Sequence, residues 1–463
     1  MEEVRGEKCA VFGIYGKGMD VSRLTFFGLY ALQHRGQESS GMSVAGGGVL
    51  RSHRGMGLVS QVYTEAAIAG LVGHIAIGHN RYSTAGGSHE WHAQPFVVGG
   101  NTLALAHNGN LPSTTLLEDF LTERSVVWKG MSDSRLIAEV VSQHMQDGRS
   151  VEDAVAETFP RMTGAFSILL LTKDKLIAIR DHHGIRPLAF GSLNGGYVFA
   201  SESCALHPIG ATFLREVAPG EMIVVDQSGA RSVQLAPPQG TVDVFEFVYF
   251  ARPDSVISGR SVYTVRKNFG YALAREAPLD VDVVVPVPET GIPVAIAYAE
   301  ALKIPFDTGL IKNRYIHRTF IEPEQHIREQ GVKVKLTPLP EVLAGKRVAI
   351  VDDSIVRGTT SRQLVKAIFD AGATEVHFLV SSPPVRYPDF YGIDIPDQSK
   401  LLAATKSVEE IRQFLGATTL NYLSYDGMIG AIGLPEEELC ASCFTGRYPL
   451  DIRERAEEVN HMF

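Results

Sequence analysis

Alternating strand and helix patterns in the second half of the chain constrain its fold most. The runs "VDVVVPVP" at 281–288 and "KRVAIVDD" at 346–353 are mostly apolar and β-branched, which is typical of strands buried on both faces. Helical patterns follow them, "IPVAIAYAEAL" at 292–302 and "SRQLVKAIFDAGA" at 361–373, and "EVHFLVSSPP" at 375–384 predicts a third strand. This order predicts a parallel α/β sheet that binds its ligand at the carboxyl ends of the strands.

The first half of the chain has a different pattern. Short apolar runs broken by Gly, Ser, Thr and Asn, such as "CAVFGIYG", "LALAHNG" and "FSILLLT", predict many strands, and "LIAEVVSQHM" predicts a helix between them. The Pro/Gly break "LAPPQG" at Leu235–Gly240 is the best candidate for a domain boundary. We therefore predict a first domain at 9–237 and a second at 241–463, preceded by a short segment at 1–8.

Composition excludes several classes of protein. The chain has 463 residues, enough for two to four domains, and its formal net charge of -9 does not favour non-specific binding to nucleic acid. No apolar run reaches the roughly 18 residues that a membrane span needs. Met1–Lys8 lacks the apolar core of a secretory signal, so a cytoplasmic location is expected.

The most informative stretch of the second half is "VAIVDDSIVRGTT" at 348–360. A strand delivers Asp352 and Asp353 at its carboxyl end, and a loop rich in Gly and hydroxyl groups leads into the next helix. Such a loop presents backbone N–H groups and hydroxyls to a phosphate, whereas carboxylates suit sugar hydroxyls or a hard divalent cation. The stretch predicts a phosphorylated sugar bound with a metal; a strand end whose Asp caps the helix is the alternative.

This stretch resembles the phosphoribosyl pyrophosphate (PRPP) motif of type I phosphoribosyltransferases. The resemblance implies that Asp352 and Asp353 hold the ribose hydroxyls and that Mg²⁺ lies near them and Thr290. It also implies a loop that wraps the 5-phosphate, formed by Ser354, Ile355, Val356, Arg357, Gly358, Thr359 and Thr360.

Two neighbouring stretches agree with a PRPP site. "VPVPETGIP" is a second strand-to-helix loop, in which Glu289, Thr290 and Gly291 are predicted to cradle pyrophosphate. The long polar segment at 312–335 carries six basic residues, Lys333 among them. Beside a pyrophosphate site we interpret it as a lid that supplies cations and excludes water.

Four polar islands of the first half suggest a second site, "LQHRGQESSG", "GHNRYST", "HNGNL" and "SDS". Arg81 offers a planar fork for a carboxylate, and Asp133 offers a partner for an ammonium group. Asn108 and Gly109 offer a side-chain amide and an unhindered backbone N–H, which are the parts of an oxyanion hole. Together these residues predict a pocket for an amino acid with a reactive carbonyl.

Cys9 is the candidate nucleophile for this pocket. A thiol needs a base or a lowered pKa, and no Cys/His signature supplies one. If Met1–Lys8 is a propeptide that is removed, Cys9 gains a free α-amino group, whose pKa of about 7.7–8.0 lies below the pKa of about 8.5 of a thiol. The amine is then predicted to act as base for its own side chain.

The first-half islands resemble class II, N-terminal-nucleophile (Ntn) glutamine amidotransferases. With the PRPP motif, the chain from Cys9 to about Asp451 resembles the glutamine phosphoribosylpyrophosphate amidotransferases, a likeness that also covers "IRDHHGIRPLAFG", "YFARPDS" and "CASCFTGRYP". It implies an Ntn-hydrolase αββα sandwich joined to a phosphoribosyltransferase domain with a parallel sheet. Arg35, Gly36 and Thr84 would complete the glutamine pocket.

The resemblance also implies an activity. Glutamine would be hydrolysed, and its ammonia would displace pyrophosphate at C1 of PRPP to give 5-phosphoribosylamine, the first committed step of purine biosynthesis. Members of the family are homo-oligomers, dimers or tetramers, that purine nucleotides inhibit.

The chain departs from the family pattern at one place. Many members with a cleaved leader carry a four-cysteine iron–sulfur cluster, whereas this chain keeps Cys440 and Cys443 and has Asp243 and Asp389 at the other two positions. Three alternatives remain: an iron–sulfur cluster with carboxylate ligands, an Asp₂Cys₂ zinc or iron site, or no metal.

Three other functions make different predictions. A transcriptional regulator with a phosphoribosyltransferase fold predicts a basic DNA-binding segment, which is absent from the sequence. A different class II amidotransferase predicts another second half in place of "VAIVDDSIVRGTT". A catalytically silent homologue is disfavoured because the candidate catalytic residues are all present.

Overall fold

The computed structural model describes residues 9–82, 89–313, 336–392 and 397–459. The predicted propeptide at 1–8, Thr84, Lys333 and most of the predicted lid lie outside these residues. Within the described ranges, no helix is both long and apolar enough to cross a membrane.

The first half is built from antiparallel strands and helices. Its strands are β1 (Ala10–Tyr15), β2 (Ser39–Gly46), β3 (Val49–Met56), β4 (Ile75–Arg81), β5 (Phe96–Val98), β6 (Leu103–Ser113), β7 (Thr163–Leu171), β8 (Leu176–Arg180), β9 (Ala189–Leu193), β10 (Gly196–Ala200), β11 (Thr212–Glu216), β12 (Glu221–Asp226) and β13 (Gly229–Gln234). Its helices are α1 (Val21–Ala31), α2 (Val59–Val62), α3 (Glu65–Gly70), α4 (Thr115–Glu123), α5 (Asp133–Gln146) and α6 (Val151–Thr158).

Two sheets stack face to face in this half. Among the described residues, one sheet has the order β11-β9-β10-β1-β4-β2-β3 and the other β13-β12-β8-β7-β6-β5. Their inner faces pack through residues such as Val11, Ile77 and Leu169. Helix α1 covers the outer face of the first sheet, and α4, α5 and α6 cover that of the second. The predicted αββα sandwich is confirmed.

The second half is centred on a parallel sheet. Its strands are β14 (Val242–Asp243), β15 (Val256–Ile257), β16 (Arg260–Ser261), β17 (Val283–Pro286), β18 (Leu310–Lys312), β19 (Leu336–Pro338), β20 (Arg347–Asp352), β21 (Glu375–Val380), β22 (Thr419–Tyr422) and β23 (Leu439–Cys440). Its helices are α7 (Val262–Glu276), α8 (Gly291–Leu302), α9 (Pro340–Leu343), α10 (Thr359–Asp370), α11 (Leu402–Thr405), α12 (Val408–Leu415), α13 (Tyr425–Ile432) and α14 (Ser442–Thr445).

Strands β17, β20, β21 and β22 form the parallel sheet in that order. Val284 packs on one face with α7, α8 and α13, whereas Val283 and Val285 pack on the other with α10 and α12. Burial on both faces explains the unbroken β-branched run in the sequence. The three predicted strands are confirmed, but β22 was not predicted, because in "TLNY" only Leu420 is buried and no apolar pattern stands out.

Candidate active sites

Cys9 stands directly before β1, a central strand of the first sheet. Its side chain is 5% exposed, and the next residue, Ala10, pairs with Asn80 of β4. Strand β1 is held on its other side by β10, where Phe12 pairs with Ala200. Cys9 is therefore fixed at one end of the sandwich by two neighbouring strands.

Ser201 links the strand of Cys9 to the predicted oxyanion residue. Its hydroxyl accepts hydrogen bonds from Val11 N at 2.9 Å and from Asn108 Nδ2 at 3.3 Å. The Ser201 hydroxyl thus bridges Asn108 and β1, although Asn108 belongs to the other sheet. Sequence reasoning missed Ser201, whose signal was a fully buried serine directly after a strand.

Gly109 meets a steric demand that other residues cannot meet. Its φ is +150°, and a Cβ at this position would lie 2.0 Å from the carbonyl oxygen of Ala165 on β7. The absence of a side chain lets β6 lie close to β7 at the point where Asn108 and Gly109 follow one another. The two predicted oxyanion residues therefore lie where β6 and β7 approach each other closely.

Asp133, the predicted ammonium partner, lies beside that stretch. It is the first residue of α5, and its Oδ2 accepts a hydrogen bond from Leu111 N at 3.2 Å. His107 Nδ1 lies 3.8 Å from Asp133 Oδ2 and 2.9 Å from Ser134 Oγ. Burial lowers the pKa of His107, so its ring is neutral near pH 7. Sequence reasoning assigned His107 no role.

Arg81 ends β4, and its side chain is almost buried. Its Nη1 pairs with Glu38 Oε1 at 2.5 Å, an ion pair that orients the guanidinium. A carboxylate ligand of Arg81 would therefore share the guanidinium with Glu38.

Arg35, which the resemblance assigns to the glutamine pocket, has its side chain paired with two buried carboxylates. The Arg35 guanidinium is 1% exposed and is engaged by the carboxylates of Glu202 and Glu246. The next residue, Gly36, lies so close to β4 that a Cβ there would be 2.6 Å from the carbonyl carbon of Asn80. The Arg35 side chain therefore joins the two halves of the molecule, and only its backbone is left for a ligand.

The predicted PRPP residues surround a cavity of about 500 Å³ at the carboxyl end of β20. The predicted residues that line it are Glu289, Thr290, Asp352, Asp353, Ser354, Val356, Arg357, Gly358, Thr359 and Thr360. Two predicted residues lie behind the wall. Ile355 packs in the hydrophobic core, and Gly291 lets α8 approach β20, since a Cβ there would lie 2.5 Å from Val351 O.

Two adjacent carboxylates and two hydroxyl groups form the polar end of this cavity. Thr290 Oγ1 donates to Asp353, Ser354 Oγ donates to Asp353 Oδ1 at 2.6 Å, and Asp353 N donates to Asp352 Oδ1 at 2.9 Å. Burial and then the charge of Asp353 raise the pKa of Asp352. A divalent cation would relieve this repulsion, so Thr290, Asp352 and Asp353 fit Mg²⁺, with substrate oxygens and water as further ligands.

Arg266 lines the same cavity, and sequence reasoning missed it. Its Nε donates to Phe247 O and its Nη2 to Ala251 O, both at 2.8 Å. Burial lowers the pKa of Arg266 to about 10, and the charge of Asp353 opposes that shift. The available signal was an arginine within the apolar stripe of α7, where Val262, Val265 and Phe269 are buried.

The first half of the chain supplies part of the same cavity wall. His34, Gln37 and Tyr82 line it opposite the PRPP loop. Two of them belong to the island "LQHRGQESSG", and Tyr82 directly follows Arg81. The cavity therefore lies at the junction of the two predicted sites.

The carboxylate–thiol group (Asp243, Asp389, Cys440 and Cys443) is brought together at the junction of the halves. The parallel pairing of β14 with β23 aligns Asp243 with Cys440. Burial raises the pKa of both thiols and raises the pKa of Asp243 to about 8. Asp243, Asp389, Cys440 and Cys443 are each less than 5% exposed, so they form one buried cluster.

Three of the four carboxylate oxygens of this group accept hydrogen bonds, Asp243 Oδ1 from Phe245 N at 2.9 Å and both oxygens of Asp389, whereas Asp243 Oδ2 accepts none from the residues that the structure describes. Asp389 accepts hydrogen bonds from Tyr391 N at 2.8 Å and Ser442 Oγ at 2.9 Å. Asp243 Oδ2 lies 3.3 Å from Arg186 Nη1. In the described part of the chain, no three His, Cys, Asp or Glu side chains are arranged to hold a metal ion. The donor set therefore does not fit an iron–sulfur or zinc centre.

Comparisons with known proteins match both halves of the chain. A model of the glutamine amidotransferase domain matches residues 79–208, and a model of the phosphoribosyl transferase domain matches residues 265–383. A curated amidophosphoribosyltransferase from Synechococcus elongatus is 49% identical over 455 residues, covering 97% of this chain and 92% of its own. One from Bacillus subtilis is 43% identical over 464 residues, covering 98% and 96%.

Two solved structures cover nearly the whole chain. The glutamine PRPP amidotransferase from Bacillus subtilis, complexed with ADP and GMP, superposes with a TM-score of 0.89 at 43% identity, covering 96% of this chain and 98% of that one. A structure described as the allosteric regulatory enzyme of purine biosynthesis gives a TM-score of 0.90 at 43% identity, covering 96% and 97%.

Proposed function

The chain belongs to the amidophosphoribosyltransferases, and from this premise we propose how its two sites share the reaction. It hydrolyses glutamine to glutamate and ammonia, and it transfers the ammonia to C1 of PRPP, releasing pyrophosphate and giving 5-phosphoribosylamine, the first step of purine biosynthesis. The observation that carries the proposed coupling is the cavity of about 500 Å³ that residues of both halves line. We propose that ammonia released near β1 passes to this cavity inside the molecule.

In the first half, Cys9 is the proposed nucleophile. Its sulfur attacks the carboxamide carbon, and its thiol proton moves to the α-amine that removal of residues 1–8 would expose. Asn108 and Gly109 are proposed to stabilise the oxyanion, and the amine returns the proton as ammonia leaves. Water then cleaves the thioester to give glutamate. Arg81 and Asp133 are proposed to hold the α-carboxylate and the α-ammonium, with Gly36 and Thr84 completing the pocket.

In the second half, the loop at 354–360 is proposed to hold the 5-phosphate, and Glu289, Thr290 and Lys333 the pyrophosphate, with Gly291 behind them allowing the close approach of α8 to β20. Asp352 and Asp353 orient the ribose hydroxyls. Bound Mg²⁺, held by Thr290, Asp352 and Asp353, would supply positive charge that stabilises the departing pyrophosphate. Arg266, which lines the same cavity, is proposed to add positive charge to the PRPP site.

Regulation and assembly are proposed from relatives alone. The Bacillus subtilis relative was solved in complex with ADP and GMP, and the second solved relative is described as an allosteric regulatory enzyme. We therefore propose that purine nucleotides inhibit this chain. A homo-oligomer, dimer or tetramer, and a cytoplasmic location stay predictions.

The division of labour is tested with Cys9→Ala and the control Cys204→Ala, which truncates another buried cysteine. Cys9→Ala is expected to lower glutamine-dependent synthesis by at least about 10³-fold and to leave ammonia-dependent synthesis within about twofold of wild type. Cys204→Ala should leave both rates near wild type. Retention of glutamine-dependent synthesis in Cys9→Ala would contradict the proposal.

The role of the α-amine needs a separate measurement. Intact mass and N-terminal sequencing of active protein should show a chain that begins at Cys9. Full activity in a chain that still begins at Met1 would rule out the amine as base.

A further inference from the structure

We propose that the two carboxylates of the carboxylate–thiol group, together with Arg186 and Ser442, form a metal-free clasp that joins the two halves and positions the oxyanion strand β6. The clasp consists of Arg186, Asp243, Asp389 and Ser442. The inference deepens the proposed function and rests on glutamine hydrolysis at Cys9. It departs from the family's iron–sulfur cluster, which the donor set of this chain does not fit.

Arg186 supplies the positive charge at the centre of the clasp. Its side chain is 1% exposed, and its Nη1 lies 3.3 Å from Asp243 Oδ2 and 3.1 Å from Glu246 Oε1. Its Nε donates to Tyr391 O at 3.0 Å. Arg186 comes from the first half and its partners from the second, so one buried guanidinium donates hydrogen bonds to Glu246 and Tyr391 of the other half and lies next to Asp243. Unpaired buried charges are costly, which makes this arrangement hard to separate.

Asp389 fixes the loop next to Arg186. Its two oxygens accept from Tyr391 N and from Ser442 Oγ, so the loop is tied both to itself and to α14. Tyr391 OH donates to Leu450 O at 2.6 Å, which ties the loop to a third segment. The residue between the two anchored positions, Phe390, is therefore held in place on either side.

Phe390 connects the clasp to the oxyanion strand. Its carbonyl oxygen accepts a hydrogen bond from Asn110 Nδ2 at 2.8 Å, and its ring packs with Ala165 in one buried cluster. Asn110 directly follows Gly109 and pairs with Ala165 in the β6–β7 ladder. A displacement of the 389–391 loop would therefore move the backbone of Gly109, whose N–H is a proposed oxyanion donor.

Two variants test the clasp, each with a matched control. Asn110→Ala removes the bond to Phe390, and its control, Asn268→Ala, removes the bond of 3.1 Å from an equivalent amide to Ala431 O within the second half. Asp389→Ala removes the carboxylate that accepts hydrogen bonds from Tyr391 N and from the Ser442 hydroxyl. Its control, Asp397→Ala, removes the same two kinds of bond at Ser399.

We expect kcat for glutamine hydrolysis to fall at least about tenfold in Asn110→Ala and at least about threefold in Asp389→Ala. The KM for glutamine and ammonia-dependent synthesis should stay within about twofold of wild type, because neither variant touches the PRPP loop. A general loss of packing would instead lower ammonia-dependent synthesis and the unfolding temperature more than the controls do.

Other results would contradict the clasp, the proposed function or the absence of a metal. If both variants match their controls, or if Asn110→Ala is slow while Asp389→Ala is not, the loop does not position the strand. If the wild type hydrolyses no glutamine, the proposed function itself fails. Anaerobically purified protein should contain no iron, zinc or acid-labile sulfide. One zinc or about four irons per chain, lost in the Cys440→Ser, Cys443→Ser double variant, would show that the group is a metal site.

Discussion

At the scale of single residues, two glycines lie where neighbouring backbone segments approach too closely for a side chain. Gly109 and Gly291 both lie where a Cβ would collide with a carbonyl oxygen of the neighbouring strand. Each stands beside residues proposed to act on a substrate. The backbone geometry of both sites therefore depends on positions that carry no functional group.

Gly109→Ala should reduce glutamine hydrolysis because its Cβ would lie 2.0 Å from Ala165 O and force β6 away from β7. Loss of one oxyanion donor typically costs about 10²–10³ in kcat. The assay is glutamate release, with ammonia-dependent synthesis as the internal reference. Gly430→Ala is the matched control, since a Cβ there meets open space. Equal rates for the two variants would mean that β6 tolerates the shift.

At the scale of elements, the loop between β20 and α10 carries most of the residues that are proposed to bind PRPP. Gly358 precedes α10 with φ +71°, and a Cβ there would lie 2.5 Å from Leu402 Cδ2. The loop is therefore held between its own left-handed turn and the residue at the start of α11. A wider turn would draw the hydroxyls of Thr359 and Thr360 away from the cavity.

Gly358→Ala is accordingly expected to raise the KM for PRPP at least about tenfold while glutaminase activity changes little. Gly345→Ala controls for backbone strain, because its φ is +73° and nothing lies within 4 Å of the added Cβ. The measurement is the initial rate of ammonia-dependent synthesis against PRPP concentration. The same KM for PRPP in both variants would show that the contact of the added Cβ with Leu402 does not affect PRPP binding.

The parallel sheet was predictable, and the candidate PRPP loop could be located, because both are local in sequence. Strand, loop and helix follow one another within 348–360, so one stretch carries both the fold and the chemistry. Ser201, His107 and Arg266 were not predictable, because their partners lie far away in the chain. The Asn108–Ser201 bond, for example, joins two different sheets. The pairing of Arg35 with Glu246 was missed for the same reason, since Glu246 lies 211 residues away.

At the scale of the whole molecule, buried charges join the halves. Arg35 binds Glu202 in its own half and Glu246 in the other, and Glu246 also binds Arg186. All four side chains are at most 1% exposed. The interface therefore depends on paired charges that cannot be hydrated where they lie.

Glu246→Gln should destabilise the molecule, because it leaves two buried guanidinium groups with one carboxylate fewer. Breaking a buried pair costs about 3–5 kcal/mol. Thermal unfolding is the measurement, and Glu409→Gln, which breaks an exposed pair with Arg412, is the control. Equal unfolding temperatures for the two variants would show that the buried pairs add nothing to stability.

Stability should also fall in acid through His79. Its Nε2–H donates to His107 O at 3.0 Å, and burial lowers its pKa to about 3. Since the unfolded pKa is about 6.5, the contribution is complete above that pH and is lost as the pH falls below it. Between pH 7.5 and pH 5.5 one such group removes about 1.4 kcal/mol.

Chemical denaturation at the two pH values tests this, with His79→Gln and the surface control His207→Gln. His79→Gln should show a smaller loss of stability on acidification than the control. An unchanged pH dependence would assign the acid sensitivity to other groups.

The shared cavity wall and the paired interface charges have a consequence for how such an enzyme can evolve. A chimera that takes its first half from one relative and its second half from another inherits Arg35 and Arg186 from one parent and Glu246 from the other. Unless both parents use the same pairs, recombination at "LAPPQG" creates buried charges without counterions. The linker is therefore a poor crossover point for gene shuffling, even though it is the clearest domain boundary in the sequence. The two halves are expected to be inherited together.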